Sequence, residues 1–560
     1  MIDCHFHVKT QDSSTPEGRA DRARQVRRVA DRVGVERVCL IGYTGSNPEE
    51  STENNQLVGS FVSEHPDIFF GWARVNPTWG KDAVTEFRRA VEEDGLIGLK
   101  LYADTKLDDP AVDPLAEAAV EMDVPIISHI ASRTETYERK ALESGEVEVR
   151  NLAERFPDLK LISGHIGGGG QWERRIKHIA PVDNVYLDTS GSVTQAGQLE
   201  MAVEYLGADR VVFGTDTWFL SGLGKLRGAD LSAEDKAQIG YNMNDLLSDD
   251  VENKLSATEV EEGQAAAADR FEELARPHEA EIIDANAYVG RYQFRRVDGE
   301  PDELIAQMDR RGVDRAVVSS FASLLYKNPH TGNEELAEAV AGHEDRLISV
   351  ATLNPTYPAW EADLEEAVQE LGMRGVKLVP AHHDYDLGDE GVVALLDRAV
   401  ELDIPVIIAG ALEDQRGRHP RVEFRGFEGS NPKKRWSRTQ VDGLISALEA
   451  SPDADVIVAN IRQDSAARVK REVTEDYASG PSLQNLVREG ATLFVADDMR
   501  VYWPNDAAAI IAGVGPEHLV CGPRLPMRVF DAHHHVQHMD LADEEADAIR
   551  AGNLKQLFDV

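Results

Sequence analysis

Cysteine is nearly absent. Three residues in a chain of 560 cannot build a disulfide framework, which excludes a small stapled secreted scaffold. Long apolar runs are missing too. No stretch of about 18 apolar residues exists, so no membrane-spanning helix is expected. A strand-like segment carrying chemistry starts at Ile2, which leaves no room for a signal peptide and points to a reducing cytoplasmic address. Basic residues are the minority, 59 Lys and Arg against 100 Asp and Glu. Nucleic-acid binding needs a basic surface, so a net charge of −41 disfavours it as a main function.

The acid is spread along the whole chain rather than gathered in a tail, and lysine is scarce beside arginine. This is the composition of halophilic proteins, whose acidic surfaces stay soluble in concentrated salt. It bears on solubility and not on fold. Hydrophobic residues make up 42%, enough to bury real cores, which excludes a mainly disordered chain.

The sequence repeats itself once. Ala73–Trp79 (ARVNPTW) returns as Ala351–Tyr357 (ATLNPTY), the stretch from Gly95 (GLIGLKLYADT) returns from Gly372 (GMRGVKLVPAH), and VPIISHI from Val124 returns as IPVIIAG from Ile404. The order is kept at an offset of about 280 residues, which reads as tandem domains rather than a solenoid. In the first copy eight short apolar runs alternate with amphipathic segments: Ile2–Val8, Val38–Tyr43, Phe69–Val75, Leu96–Tyr102, Val124–Ile130, Leu159–His165, Val185–Asp188 and Val211–Gly214. Eight βα units favour a parallel (β/α)8 barrel over a doubly wound open sheet. The expected fold is α/β, two tandem TIM-type barrels. The expected domains are an active barrel over 1–250, an acidic, alanine-rich linker containing a helix over 251–280, and a second barrel over 281–560.

The chemistry begins on the first strand, in Asp3-Cys4-His5-Phe6-His7. Residues two apart on a strand share a face, so His5 and His7 can grip one metal ion; borderline metals such as zinc favour imidazole. His129 ends the fifth run, His165 the sixth and Asp216 the eighth. Ligands from the C-terminal ends of different strands converge at the top of such a barrel. Lys100 ends the fourth strand and is kept as Lys377 in the second copy, which assigns it a structural or substrate-facing role. Arg74 and Trp218 are candidate pocket residues, Arg74 as a bidentate clamp for a substrate carboxylate. Asp188 is either a partner that orients a ligand or a plain strand-end aspartate. Gly167–Gly170 lacks the ending of a phosphate loop and reads as a turn that lets backbone pass close to the pocket.

These elements (IDCHFH, GLKLY, SHI, GHIGG, LDTSG and FGTD) resemble the amidohydrolase superfamily, in the amidohydrolase-related group that includes aminocarboxymuconate-semialdehyde decarboxylase. The resemblance implies that His5, His7, His129 and Asp216 hold one divalent metal, zinc or else manganese, with Asp216 and His165 catalytic. It implies a hydrolase acting on a small carboxylated or cyclic substrate through metal-activated water. A non-oxidative decarboxylase is the alternative within the family. A binding or regulatory protein on a retired scaffold is the alternative outside it.

The second copy has lost the site. His5 becomes Asn286, His7 Tyr288, His129 Ala409, His165 Asn460 and Asp216 Arg524. This barrel is expected to be catalytically dead and to stand in for the partner subunit of a dimer, making the chain an intramolecular pseudo-dimer. The basic stretch Gln415–Arg438 is read as a loop neutralising an acidic barrel, or else as an anion pocket. The histidines His533 to His535 imitate the first-strand motif but are read as a loop cluster outside the active site.

Overall fold

The computed structural model describes residues 1–8, 13–133, 141–217, 219–274, 280–410, 412, 438–461, 493–497, 515–527, 536 and 541–560. The chain forms two compact units, Met1–Leu274 and Ala275–Val560.

In the first unit the eight apolar runs become eight parallel strands: β1 (Ile2–His7), β2 (Arg37–Ile41), β3 (Phe69–Arg74), β4 (Leu99–Leu101), β5 (Ile126–His129), β6 (Leu161–Gly164), β7 (Val185–Asp188) and β8 (Val211–Val212). They pair in sequence order. Backbone bonds from Cys4 N to Phe213 O (2.9 Å) and from Asp216 N to His5 O (2.7 Å) join the first strand to the last. Nearly every strand residue is buried on both faces, as expected where helices cover a parallel sheet. The helix Pro16–Val33 shows how the cover is built. Thr15 caps it by accepting from Gly18 N, Pro16 opens it, and Gly34, at φ 75°, closes it. It buries Ala23, Val26, Ala30 and Val33, one stripe at helical spacing.

One irregularity decides the site. Asp3 pairs with Val38, but Phe6 pairs with Leu40, so β1 bulges across Cys4 and His5. Trp72 Nε1 on β3 bonds Cys4 O at 2.9 Å. Asp3 pins the bulge: Oδ1 accepts from the backbone N–H of His5 and of Thr215, each at 3.0 Å, and Oδ2 accepts from the Thr215 hydroxyl at 2.5 Å.

The second unit repeats this plan. Its strands are β9 (Ile283–Val289), β10 (Arg315–Ser320), β11 (Leu347–Ser349), β12 (Ala351–Leu353), β13 (Val376–Leu378), β14 (Val406–Ala409), β15 (Val456–Ile461), β16 (Leu493–Asp497) and β17 (Leu519–Cys521). β11 and β12 are two halves of one strand interrupted at Val350, whose N–H bonds Val318 O at 2.9 Å. The other side closes through Tyr288 N to Leu525 O, also 2.9 Å. The bulge recurs: Asp284 pairs with Ala316 and Ala287 with Val318. Asp284 accepts from the backbone N–H of Asn286 and Leu525, both at 2.9 Å, as Asp3 does in the first unit.

The acidic stretch after the first barrel contains the helix Ala257–Leu274, which falls inside the first unit. Among the described residues, no helix is long and apolar enough to cross a membrane.

Candidate active site

The C-terminal ends of the first unit's strands gather the polar side chains that the sequence singles out. His5 and His7 come from β1, Lys100 from β4, His129 from the end of β5 and Asp188 from the end of β7. His165 follows β6 directly and Asp216 lies four residues past the end of β8, in left-handed conformations at φ 65° and 55°. Thr217 is left-handed as well, at φ 74°, a costly conformation for a β-branched residue. Its hydroxyl accepts from His7 N at 2.9 Å and thereby ties the turn to β1.

One ligand atom from each of His5, His7 and Asp216 lies within 4.8 Å of the others, and the same holds for His5, His165 and Asp188. Asp216 Oδ1 is 3.4 Å from His7 Nε2 and 3.9 Å from His5 Nε2; its Oδ2 is 3.7 Å from His165 Nδ1. For ligands about 2.0–2.1 Å from a tetrahedral ion, the ligand atoms stand about 3.3 Å apart, so His7, His5 and Asp216 are near that spacing. The donor set therefore fits a divalent metal. Burial pulls His7 down to about 3 and holds His5 and His165 well below the ordinary histidine range. Neutral imidazoles are the ligating form.

His129 joins this group through His165, Nδ1 to Nε2 at 2.9 Å, while its own Nε2 is 3.4 Å from Glu143. Glu143 also receives Arg133 at 2.5 and 2.8 Å. Burial would raise the Glu143 carboxyl, but these bonds outweigh it and hold it near 2. Nothing in the sequence marks Glu143 or Arg133, because they lie on a loop without a motif and meet His129 only in the fold. Ser190 also escapes sequence reasoning. Its hydroxyl donates to Asp188 at 2.6 Å and lies 2.9 Å from His165 Nδ1.

Lys100 is fully buried, with Nζ 2.9 Å from His5 Nε2, and burial lowers its ammonium to about 8. Arg74 is buried at the rim. It donates to Gly42 O at 3.3 Å and lies 5.6 Å from the centre of the Tyr102 ring, and its Nε has no hydrogen-bond partner among the described residues. The glycine turn after β6 passes against the loop after β5. A Cβ on Gly168 would meet Ile130 O at 2.3 Å, and one on Gly169, at φ 79°, would meet Ser132 O at 2.3 Å. Trp218, most of the basic stretch Gln415–Arg438, and His533 to His535 lie outside the described residues.

In the second unit the equivalent positions hold a different set. Lys377 Nζ donates to Asn286 Oδ1 at 2.6 Å and Ser319 Oγ at 2.9 Å, and stands 3.9 Å from the centre of the Tyr288 ring. Arg524 keeps the left-handed turn of Asp216, at φ 63°, with a guanidinium in place of the carboxylate.

The first unit is a parallel α/β barrel with its polar groups gathered at the strand ends. The family profile described as amidohydrolase matches residues 2–255 and again 276–490, and the chain belongs to that family as a tandem duplication. Solved structures of similar fold include 5-carboxyvanillate decarboxylase from Novosphingobium aromaticivorans in complex with manganese, with 16% identity, 50% of this chain and 97% of that one covered, and a TM-score of 0.40. Another is 2,6-dihydroxybenzoate decarboxylase from Rhizobium, with 19%, 44%, 97% and 0.35 for the same measures. A third is a dihydroxybenzoic acid decarboxylase from a Polaromonas species with bound manganese, with 21%, 44%, 95% and 0.34.

Proposed function

We propose that the first barrel is a metal-dependent hydrolase of a small carboxylated or cyclic organic substrate, with one zinc or manganese ion held by His5, His7 and Asp216. The convergence of these three ligand atoms within 4.8 Å carries the reading. His129 and His165 stand beside them, His129 as a further ligand and His165 as the group that orients the reacting oxygen. A divalent ion there would polarise a substrate carbonyl and lower the pKa of water.

The protein's own groups supply the rest. Asp216 takes a proton from the attacking water and passes it to the leaving group. His165 hydrogen-bonds the developing oxyanion. Arg74, buried and with an Nε–H to offer, clamps a substrate carboxylate. Lys100 presents its amine to the substrate from the barrel floor. Loss of a carboxyl group instead of hydrolysis is the second reading. It is favoured by the same Arg74 position, which would hold a carboxylated substrate against the site. The second barrel, with Asn286, Tyr288, Ala409 and Arg524 at the ligand positions, has no part in the reaction.

The test is metal content and turnover on wild type and on H5A/H7A, with lactones and aromatic carboxylates as substrates. Loss of one ion per chain together with turnover supports the site. Release of carbon dioxide from a carboxylate would select the second reading, and an unaltered ion count with full turnover would overturn both.

A further inference from the structure

We propose a second metal site, on the outer helices of the second barrel, formed by His330, Glu334 and Glu366 and built for a borderline divalent ion of the zinc type. His330 and Glu334 are one turn apart on the helix Pro329–Ala339, a spacing that puts both on one face. Glu366 reaches them from the helix Trp360–Gln369. One ligand atom from each lies within 4.8 Å of the others.

The histidine carries the argument. Its side chain is 7% exposed, and neither ring nitrogen has a hydrogen bond. Buried polar groups are rarely left so. Nε2 faces Glu366 Oε2 at 3.4 Å, beyond the usual 2.7–3.2 Å of an N–H···O bond. That gap is close to the roughly 3.3 Å expected between two ligands of one tetrahedral ion. Asp363, one turn before Glu366 on the same helix, adds a third carboxylate to the neighbourhood. Among the described residues, no arginine or lysine ion pair reaches Glu334 or Glu366.

The duplication supplies a control within the molecule. Counted from the shared Gly95 and Gly372, Asp363 corresponds to Glu86 and Glu366 to Arg89. In the first unit Arg89 closes the same place with ion pairs to Glu86 at 2.8 Å and Asp94 at 2.7 Å. The bonds of Asn55 to the Arg74 backbone recur as those of Asn333 to the Thr352 backbone, which sets His330 at the place of Thr52, whose hydroxyl donates to Glu86 at 2.6 Å. The second copy has thus exchanged an arginine for a glutamate and a threonine for a histidine. These two changes turn a closed ion-pair network into a mixed nitrogen and oxygen ligand set.

The experiment is titration of the chelator-treated full chain with Co2+ in high salt, read by visible absorption. It uses wild type, H5A/H7A, H330A, E334Q and E366Q, each checked for folding by circular dichroism. We expect H5A/H7A to keep one tight equivalent, which is lost when H330A or E366Q is added and weakened at least tenfold by E334Q. E334Q changes an exposed side chain and so keeps the test valid if H330A does not fold. An H5A/H7A chain that binds no ion overturns this site. An equivalent that survives E334Q and E366Q at full affinity overturns it too. A wild type whose only ion is lost in H330A sustains this site and defeats the first-barrel reading.

Discussion

Asp188 Oδ2 accepts a 2.6 Å hydrogen bond from His5 Nδ1, inside a fully buried pair. The bond fixes the imidazole tautomer and turns Nε2 toward Asp216 and Lys100. The other oxygen of Asp188 accepts from His165 N at 2.7 Å and Ser190 N at 2.9 Å, so one carboxylate orients two histidines. In D188N an amide N–H would face the Nδ1–H, and His5 would shift its proton to Nε2 or turn away. We expect metal affinity to fall about 10–100-fold, measured by calorimetry on folded protein. An affinity within twofold of wild type would show that Asp188 does not orient the ligand.

Arg74 holds its place through Gly42 O and the Tyr102 ring, independently of the metal ligands. Its removal should therefore cost substrate binding more than chemistry. For R74Q we expect KM for a carboxylated substrate to rise about 10–100-fold, with kcat changed less than about threefold. The check is steady-state kinetics on a carboxylate and its methyl ester. An equal effect on both would remove the carboxylate clamp from the mechanism.

Much of this was legible in the sequence because barrel strands are short apolar runs that end in the residues they present. His5, His7, His129, His165 and Asp216 all sit at such ends, and their convergence follows from the fold alone. The bulge at Cys4–His5 was not legible, since a simple alternation also places His5 and His7 on one face. Asp3 stands in the first-strand motif, but its pinning role was not legible, because its bonds to Thr215 span 212 positions. Glu143 and Arg133 escaped for the same reason, because their partner is set by the fold rather than by spacing.

Glu143 makes a prediction about acid stability. Its carboxyl sits near 2 when folded, against an ordinary 4.5. A depressed pKa contributes stability that is present above about 4.5 and is lost as pH falls toward 2. At neutral pH the difference between the folded and unfolded carboxyl amounts to at most about 3 kcal/mol, reduced by solvent screening of the pair. E143Q removes it, so wild type should exceed E143Q by the largest margin at neutral pH and converge with it toward pH 2. Urea denaturation across that range reads the difference. A gap independent of pH would mean that Glu143 acts through packing alone.

Lys377 tests how the second barrel fills the space where its strand ends converge. It is fully buried, burial pulls its ammonium well below the ordinary lysine range, and it is held by Asn286, Ser319 and the Tyr288 ring. Asn286 and Tyr288 stand where His5 and His7 stand in the first barrel, so the lysine is the internal partner of both equivalent positions. K377M keeps the length and apolar stem but strips the donor from Asn286 Oδ1 and Ser319 Oγ. Leaving a buried acceptor without its donor costs about 1–3 kcal/mol, and part is recovered by packing of the thioether. We expect the variant to lose about 2 kcal/mol in urea denaturation while first-barrel turnover per folded molecule stays at the wild-type value. An unchanged or raised stability would mean that the buried amine contributes nothing to the second barrel's fold.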